Sequence, residues 1–283
     1  MKSKPTMTLD RVLSRFGLAS RAAAREAIRE GRLRLNGRVV RDPDLWVTPD
    51  REALHLDGKR LKRARKIYLL FYKPKGVITS HGDPTGRDTI YKYLSDVAPP
   101  LRAAPADVAP PLRAAPADVA PAFRSAHAGL KPGATTENEW LAPVGRLDKD
   151  TSGLLLLTND TEFADFMTNP ESAIPKTYLV KANALMSDEV IASLNAGVEM
   201  KRGDFAQPLS VRRREDRGKY TWLDVVLTEG KNREVRRMIE AVGFKVLKLV
   251  RTRIGPLTLD GLEVGKWREL TAAELASLRR AKS

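Results

Sequence analysis

The 283-residue sequence contains no cysteine, and this absence excludes several kinds of site. Without thiols the chain forms no disulfide framework and no zinc–thiolate centre, and it has no thiolate nucleophile. Its three histidines, His55, His81 and His127, lie in unrelated contexts. Neither a histidine-based metal site nor a Ser-His-Asp triad is predicted. Any chemistry must therefore come from carboxylates, hydroxyls and cations.

Long apolar segments are also missing. The longest purely aliphatic run is the four leucines at 154–157, whereas a bilayer-spanning helix needs about 20 apolar residues. The first five residues, MKSKP, offer no apolar core of a secretory signal. We therefore expect a cytoplasmic protein that does not insert into a membrane.

Acidic residues are too few to balance the basic ones. The chain has 50 lysines and arginines against 35 acidic residues, a net charge of +15. Such an excess predicts a polyanionic partner, either nucleic acid or an acidic membrane surface. The charge is uneven, because residues 1–65 hold 17 basic and 8 acidic residues. This first quarter of the chain therefore carries +9 of the +15.

The basic segment has the pattern of a small folded module. One helix is predicted where apolar residues repeat at helical spacing, and Gly17 can end it. A second helix is predicted from an N-cap at Ser20 to a stop at Gly31. The apolar stripes of the two helices are Leu9, Val12, Leu13 and Phe16, then Ala23, Ala24, Ala27 and Ile28.

A hairpin follows, because Asn36-Gly37 stands between alternating apolar residues. The arginines around it either form a solvated face or bind a polyanion. As a set they favour binding, since so small a module seldom needs so many uncompensated cations. Residues 17–21, GLASR, and 30–37, EGRLRLNG, resemble the alpha-L RNA-binding module, which presents its second helix and the next loop to structured RNA. The RNA-binding residues that this implies are Arg15, Ser20, Arg21, Arg25, Arg32, Arg34, Asn36 and Arg38.

The middle of the chain is rich in alanine and proline. Residues 96–106, DVAPPLRAAPA, are repeated letter for letter at 107–117. Such a composition cannot bury a core. We predict that residues 95–139 form a flexible surface insertion without catalytic importance.

The segment at 145–160, GRLDKDTSGLLLLTND, joins a polar loop to an apolar strand. A rigid strand fixes such a loop while its side chains stay at a cleft. Asp148 could act there as a nucleophile or as a general acid or base. Alternatively, Asp148 and Asp150 could form Asx turns with nearby amides. Spacing alone leaves both interpretations open.

The same segment is similar to the signature of the RNA pseudouridine synthases, in the ribosomal branch with a leading alpha-L domain. Residues 145–155 match the pattern Gly-Arg-Leu-Asp, any residue, Asp-Thr/Ser-Ser-Gly-Leu-Leu, and the likeness covers residues 8–94 and 140–270. It implies an α+β fold: an alpha-L domain over residues 1–64, then a catalytic domain over residues 65–283. The catalytic domain would be built on a mostly antiparallel mixed sheet with flanking helices.

The resemblance also implies a function. The chain would isomerise a specific uridine of ribosomal RNA to pseudouridine without a cofactor. Its partner would be ribosomal RNA or a ribosome-assembly intermediate, and we expect a monomer. The segment KNREVRRM at 231–238 favours a large-subunit target, with a small-subunit target still open.

Individual roles follow from the resemblance. Asp148 would be the catalytic carboxylate, acting through a covalent adduct or by removing a sugar proton. Arg146 would hold the flipped nucleotide, and Arg236 would pair with the catalytic aspartate and keep it ionised. Tyr178 would pack on the target base, although a strand tyrosine is commonly half-buried packing. Lys73, in a Lys-Pro-x-Gly turn, matches a family motif and is assigned to substrate binding.

A helix that carries Arg236 is predicted after residue 231. Its apolar stripe is Val235, Met238, Ile239 and Val242, and Asn232 is its predicted N-cap. Arg233 and Arg237 would contact RNA phosphates or remain solvated.

Two other functions compete with the isomerase. A non-catalytic RNA-binding protein would have no use for a carboxylate facing a polyanion, because like charges repel. A metal-dependent nuclease would need several convergent carboxylates, whereas the sequence offers one pair, Asp148 and Asp150. The joint presence of Asp148, Tyr178 and Arg236 favours the isomerase.

Overall fold

A computed structural model of the chain describes residues 6–16, 18–49, 52–62, 65–80, 86–94, 141–201 and 203–280. The predicted insertion at 95–139 and the helix end at Gly17 lie outside these ranges. The helices are α1 Leu9–Arg15, α2 Arg21–Arg29, α3 Thr161–Thr168, α4 Asp188–Ala196, α5 Glu234–Ala241 and α6 Ala272–Arg280, with short 3-10 helices at Ile90–Tyr93 and Pro170–Ser172. The strands are β1 Met7–Thr8, β2 Leu33–Leu35, β3 Arg38–Val40, β4 Trp46–Val47, β5 Leu54–Leu56, β6 Lys59–Arg60, β7 Tyr68–Lys73, β8 Ala142–Val144, β9 Ser152–Thr158, β10 Lys176–Ala182, β11 Val198–Glu199, β12 Phe205–Ala206, β13 Ser210–Arg217, β14 Tyr220–Leu227, β15 Val246–Ile254, β16 Leu257–Thr258 and β17 Trp267–Glu269.

The N-terminal module packs α1 and α2 around one apolar cluster that includes β2 and β5. Ser20 caps α2, since its side chain accepts the amide of Ala23 at 3.1 Å. The β2–β3 turn places Asn36 at φ 49 and Gly37 at φ 84, as a two-residue hairpin turn with two left-handed residues requires. Both local predictions are confirmed, and so is the stop after α2, where Gly31 has φ 78.

The rest of the described chain is built on a nine-stranded sheet in the order β13-β14-β10-β15-β9-β7-β17, with β16 on β15 and β8 on β9. Among the pairings between described strands of this sheet, β15–β9 is parallel and the others are antiparallel. The predicted mixed, mostly antiparallel sheet is therefore confirmed.

Helices cover the sheet with two apolar clusters. The larger contains Tyr178 and Val180 of β10 together with apolar residues of α4 and α5. The smaller places α3 and α6 against β9 and the end of β15. β9 contributes to both clusters, because alternate leucines of the run 154–157 point to opposite faces. This strand is the buried support that the sequence predicted.

Residues 141–280 contain four α-helices in their described part. One helix prediction was wrong. The N-cap of α5 is Arg233, at φ 50, rather than Asn232. The predicted apolar stripe of α5 is correct at Val235, Met238 and Ile239, which are buried.

Candidate active site

The loop between β8 and β9 carries Asp148 and is held by its main chain. The carbonyl of Leu147 accepts the Thr79 hydroxyl at 2.9 Å, and that of Lys149 accepts the Gly76 amide at 2.8 Å. The carbonyl of Asp148 accepts the amide of Thr151 at 3.0 Å.

Two cationic side chains complete these contacts. Lys73 Nζ donates to the carbonyls of Asp148 and Thr151 at 3.2 and 2.9 Å, and Arg236 Nη2 donates to the carbonyl of Asp150 at 3.0 Å. Every carbonyl from residue 147 to residue 151 is therefore bound. The loop keeps its shape while its side chains stay free to act.

A glycine at the start of β9 lets this loop enter the sheet. Gly153 has φ 119 and pairs with Arg251 of β15 in the parallel register. A Cβ atom added at Gly153 would lie 2.3 Å from the main-chain oxygen of Arg251. Any other residue would push the two strands apart below the Asp148 loop.

Lys73 lies behind this loop and does not contact the cavity. Its side chain is fully buried, and Nζ also donates to the carbonyl of Pro74 at 3.0 Å. Burial lowers the pKa of Lys73 to about 8, while Asp148 and Asp150 act in the opposite direction. With three carbonyls on its three N–H groups, the ammonium has no donor left for a substrate. The structure thus corrects the predicted substrate contact, because Lys73 positions the loop.

The predicted ion pair between Arg236 and Asp148 is replaced by another. Arg236 is buried and donates to the main chain of Asp150 and Val246, and burial lowers its pKa. In the described part of the chain the cation next to Asp148 is Arg233, whose Nη1 lies 3.8 Å from Oδ2. The left-handed conformation of Arg233 at the start of α5 was not predictable, because a non-glycine residue seldom adopts it.

Asp148 lines a cavity of about 510 Å³. This volume is within the range of small-ligand sites. Tyr178 of β10 is 8% exposed and lines the same cavity, as does the exposed Arg146. Three predicted site residues, Asp148, Arg146 and Tyr178, are therefore brought together. Arg236 and Lys73 support the loop from behind.

The cavity wall also contains charged residues that were not predicted from the sequence. They include Lys176, Glu234 and Arg251. Burial and the nearby Glu229 raise the pKa of Glu234 to about 7, and burial together with Arg251 lowers the pKa of Lys176. No local pattern marks these residues, because they come from β10, α5 and β15.

The predicted RNA-binding arginines divide into two classes. Arg21 donates to Asp10, and Arg25 donates to Asp44 at 2.7 Å and to Asp10 at 3.1 Å. Arg32 binds Asp57 through two hydrogen bonds, at 3.0 and 2.7 Å. These three are not the uncompensated cations that the sequence suggested. Apart from Glu30, which lies two residues from Arg32, their carboxylate partners lie 11 to 25 residues away in the chain.

The other arginines of the module differ. Arg34 and Arg38 are exposed and form no ion pair with a described residue, and Arg34 donates to the carbonyl of Gly37. Arg15 pairs with Glu162 of α3 and so links the module to the larger domain. Asn36 binds Glu52 and the amide of Ala53, which stabilises the hairpin turn.

No helix in the described ranges is long and apolar enough to cross a membrane. No three His, Cys, Asp or Glu side chains of those ranges lie in a group that could hold a metal ion.

The chain is similar to known proteins in sequence and in fold. Residues 67–241 match the family described as RNA pseudouridylate synthase, and residues 7–52 match the S4 domain. An uncharacterized RNA pseudouridine synthase of Aquifex aeolicus (strain VF5) is 34% identical over 96% of this chain and 94% of its own. Ribosomal large subunit pseudouridine synthase B of Bacillus subtilis (strain 168) is 34% identical over 96% and 95%. A crystal structure of a pseudouridylate synthase shares the fold, with a TM-score of 0.59 and 24% identity over 96% of this chain and 99% of that one.

Proposed function

Because the chain belongs to the RNA pseudouridine synthases and carries an S4 domain, we propose that it isomerises a specific uridine of ribosomal RNA to pseudouridine. A large-subunit target is favoured, since a relative with that name aligns over 96% of this chain. The observation that carries the proposal is the Asp148 loop, whose carbonyls are all bound while its carboxylate faces a cavity with Tyr178.

Asp148 is the catalytic carboxylate in this proposal. The bond between N1 and C1′ breaks, the uracil turns, and a new bond joins C5 to C1′. C5 loses one proton and N1 gains one, so that atoms balance without a cofactor. A covalent adduct at the sugar and removal of a ribose proton both require an ionised carboxylate. The guanidinium of Arg233 lies 3.8 Å from this carboxylate.

The other cavity residues hold the nucleotide. The target base must leave its stack to reach Asp148, and Tyr178 packs on it in the cavity. Arg146, exposed at the cavity wall, contacts the flipped nucleotide. Arg236 and Lys73 act as positioning residues through the main chain of the loop.

The N-terminal module supplies RNA affinity. We assign residues 1–64 to this domain and residues 65–283 to the catalytic one. Arg34 and Arg38, which have no described carboxylate partner, contact phosphates first. Arg21, Arg25 and Arg32 contribute where phosphates displace their carboxylates, and Arg15, Ser20 and Asn36 shape the surface. The protein acts as a monomer in the cytoplasm, where its ribosomal RNA lies.

The test is pseudouridine mapping by carbodiimide on ribosomal RNA from a deletion strain complemented with variants. Asp148→Asn should fold and bind RNA like the parent yet restore no modification. Asp150→Asn is the matched control, since its exposed side chain makes no bond to a described residue, and it should restore modification. Modification restored by Asp148→Asn would refute the catalytic assignment. Strand breaks that require both carboxylates would favour the nuclease.

A further inference from the structure

Arg251 lies beside Tyr178 in the wall of the cavity. It is the cross-strand partner of Tyr178 in the β10–β15 pairing, next to a register shift. Partners in an antiparallel pair project from the same face of a sheet. Arg251 is only 4% exposed, so its guanidinium belongs to the interior of the site.

The guanidinium of Arg251 is incompletely hydrogen-bonded. Its Nε donates to the carbonyl of Leu154 at 2.7 Å, which uses one of five N–H groups. Nη2 is buried and has no acceptor in the described part of the chain. A buried donor without a partner is rare and unfavourable. In the wall of a substrate cavity, it indicates an acceptor that arrives with the ligand.

The depth of Arg251 indicates which part of the nucleotide supplies that acceptor. The side chain of Arg233 is 46% exposed and that of Asp148 is 35% exposed, so both lie near the mouth. Asp148 must reach the ribose. The base therefore extends inward, and its C4 edge, remote from the glycosidic bond, goes deepest. A phosphate would instead stay with the exposed cations.

Resting on the proposed function, we infer that Arg251 donates a hydrogen bond to the C4 carbonyl of the target uracil and so selects uracil over cytosine. Cytosine has an amino group at C4. This group would place its own N–H against the N–H of Arg251, so that no hydrogen bond forms. Loss of one charge-assisted hydrogen bond in a buried site weakens binding by roughly tenfold to a hundredfold.

The symmetry of uracil makes one fixed donor sufficient for the whole reaction. Joining C5 to the ribose in place of N1 corresponds to turning the base by half a rotation about the axis through N3 and C6. That rotation exchanges N1 with C5, and it also exchanges the C2 carbonyl with the C4 carbonyl. Arg251 would thus find a carbonyl at the same place before and after the turn.

Binding of free nucleotides tests this inference independently of the RNA target. UMP and CMP are titrated into the full-length protein by NMR, with Arg251→Met as the variant. Arg253→Met is the matched control, since Arg253 is exposed on the same strand. We expect UMP to bind the parent and the control roughly tenfold more tightly than CMP. Arg251→Met should bind UMP as weakly as CMP.

Other outcomes would overturn the inference. Equal losses of UMP and CMP affinity in Arg251→Met would assign Arg251 to the phosphate. A parent protein that binds no UMP at millimolar concentrations, or does not prefer it, would also reject the idea. Because Arg251→Met could unfold, the parent is also titrated with the pyrimidin-2-one ribonucleotide, which lacks the C4 oxygen and should bind as weakly as CMP. Ribosomal RNA mapping tests the proposed function separately, so that either can fail alone.

Discussion

Replacing Lys73 by methionine would separate the effect of this buried cation on stability from its effect on the catalytic rate. The ammonium binds three carbonyls, those of Pro74, Asp148 and Thr151, and two of these belong to the catalytic loop. Methionine has a similar length and no donor. The side chain would still fill its space, but the loop would lose its support from below.

The change in stability can be estimated from the structure. The pKa of Lys73 falls from 10.5 to about 8, which corresponds to roughly 3 kcal/mol for holding the charge in the interior. Methionine removes that cost. It also leaves the carbonyls of Pro74 and Thr151 without this donor, at about 1–3 kcal/mol each. The two effects oppose each other, so the free energy of unfolding should change by no more than about 3 kcal/mol.

Activity should respond far more strongly than stability. A catalytic group displaced by about 1 Å costs roughly 100-fold in rate, and we expect at least that loss. The assay is the single-turnover rate of pseudouridine formation with enzyme in excess, beside urea unfolding of the same samples. Lys75→Met is the matched control, because Lys75 is exposed two residues away. It should leave both quantities unchanged.

The pH dependence supplies a second signature of Lys73. Above pH 8 the folded protein loses this proton, while the unfolded chain keeps it to about 10.5. The group therefore makes the protein more stable as pH rises from 8 to 10.5. The rate should fall over the same range, because a neutral amine has two N–H groups for three carbonyls. A parent rate that stays flat to pH 9.5, or a fully active Lys73→Met variant, would show that the reasoning is wrong.

Two further predictions concern charges elsewhere. Burial raises the pKa of Glu234 to about 7 from its ordinary 4.5. Between these two pH values the folded state holds a proton that the unfolded chain has released. The free energy of unfolding should therefore fall as pH rises from 4.5 to 7. Glu234→Gln should lose this dependence in urea unfolding at pH 5 and 8, and an unchanged slope would contradict it. Arg38→Gln should reduce the slope of log affinity for ribosomal RNA against log salt by roughly 0.7 to 0.9. Arg32→Gln should reduce it less, since Asp57 already neutralises Arg32, and equal reductions would argue against the division into paired and unpaired arginines.

The sequence predicted well those features that depend on neighbouring residues. The Ser20 cap, the Asn36-Gly37 turn and the strand after Gly153 each follow from the conformational preferences of a few adjacent residues. The sheet class came from the resemblance rather than from any local pattern.

The support of the site could not be predicted in this way. Thr79 reaches Leu147 across 68 positions, and Arg236 reaches Asp150 across 86. No spacing rule relates residues so far apart. Arg233, and not Arg236, lies beside Asp148 because Arg233 adopts the left-handed conformation at the start of α5. That conformation is unfavourable for a residue other than glycine, so local preferences do not predict it.

The bound carbonyls of residues 147–151 have a consequence for how this loop can change over time. Its shape is encoded by distant positions that hold the main chain, including Lys73, Gly76, Thr79 and Arg236. The exposed side chain at Lys149 takes no part in that support, so this position can vary freely. Substitutions at the supporting positions would instead alter the conformation of the loop without changing its sequence. An unchanged loop sequence is therefore a poor guide to whether a distant relative has kept the activity.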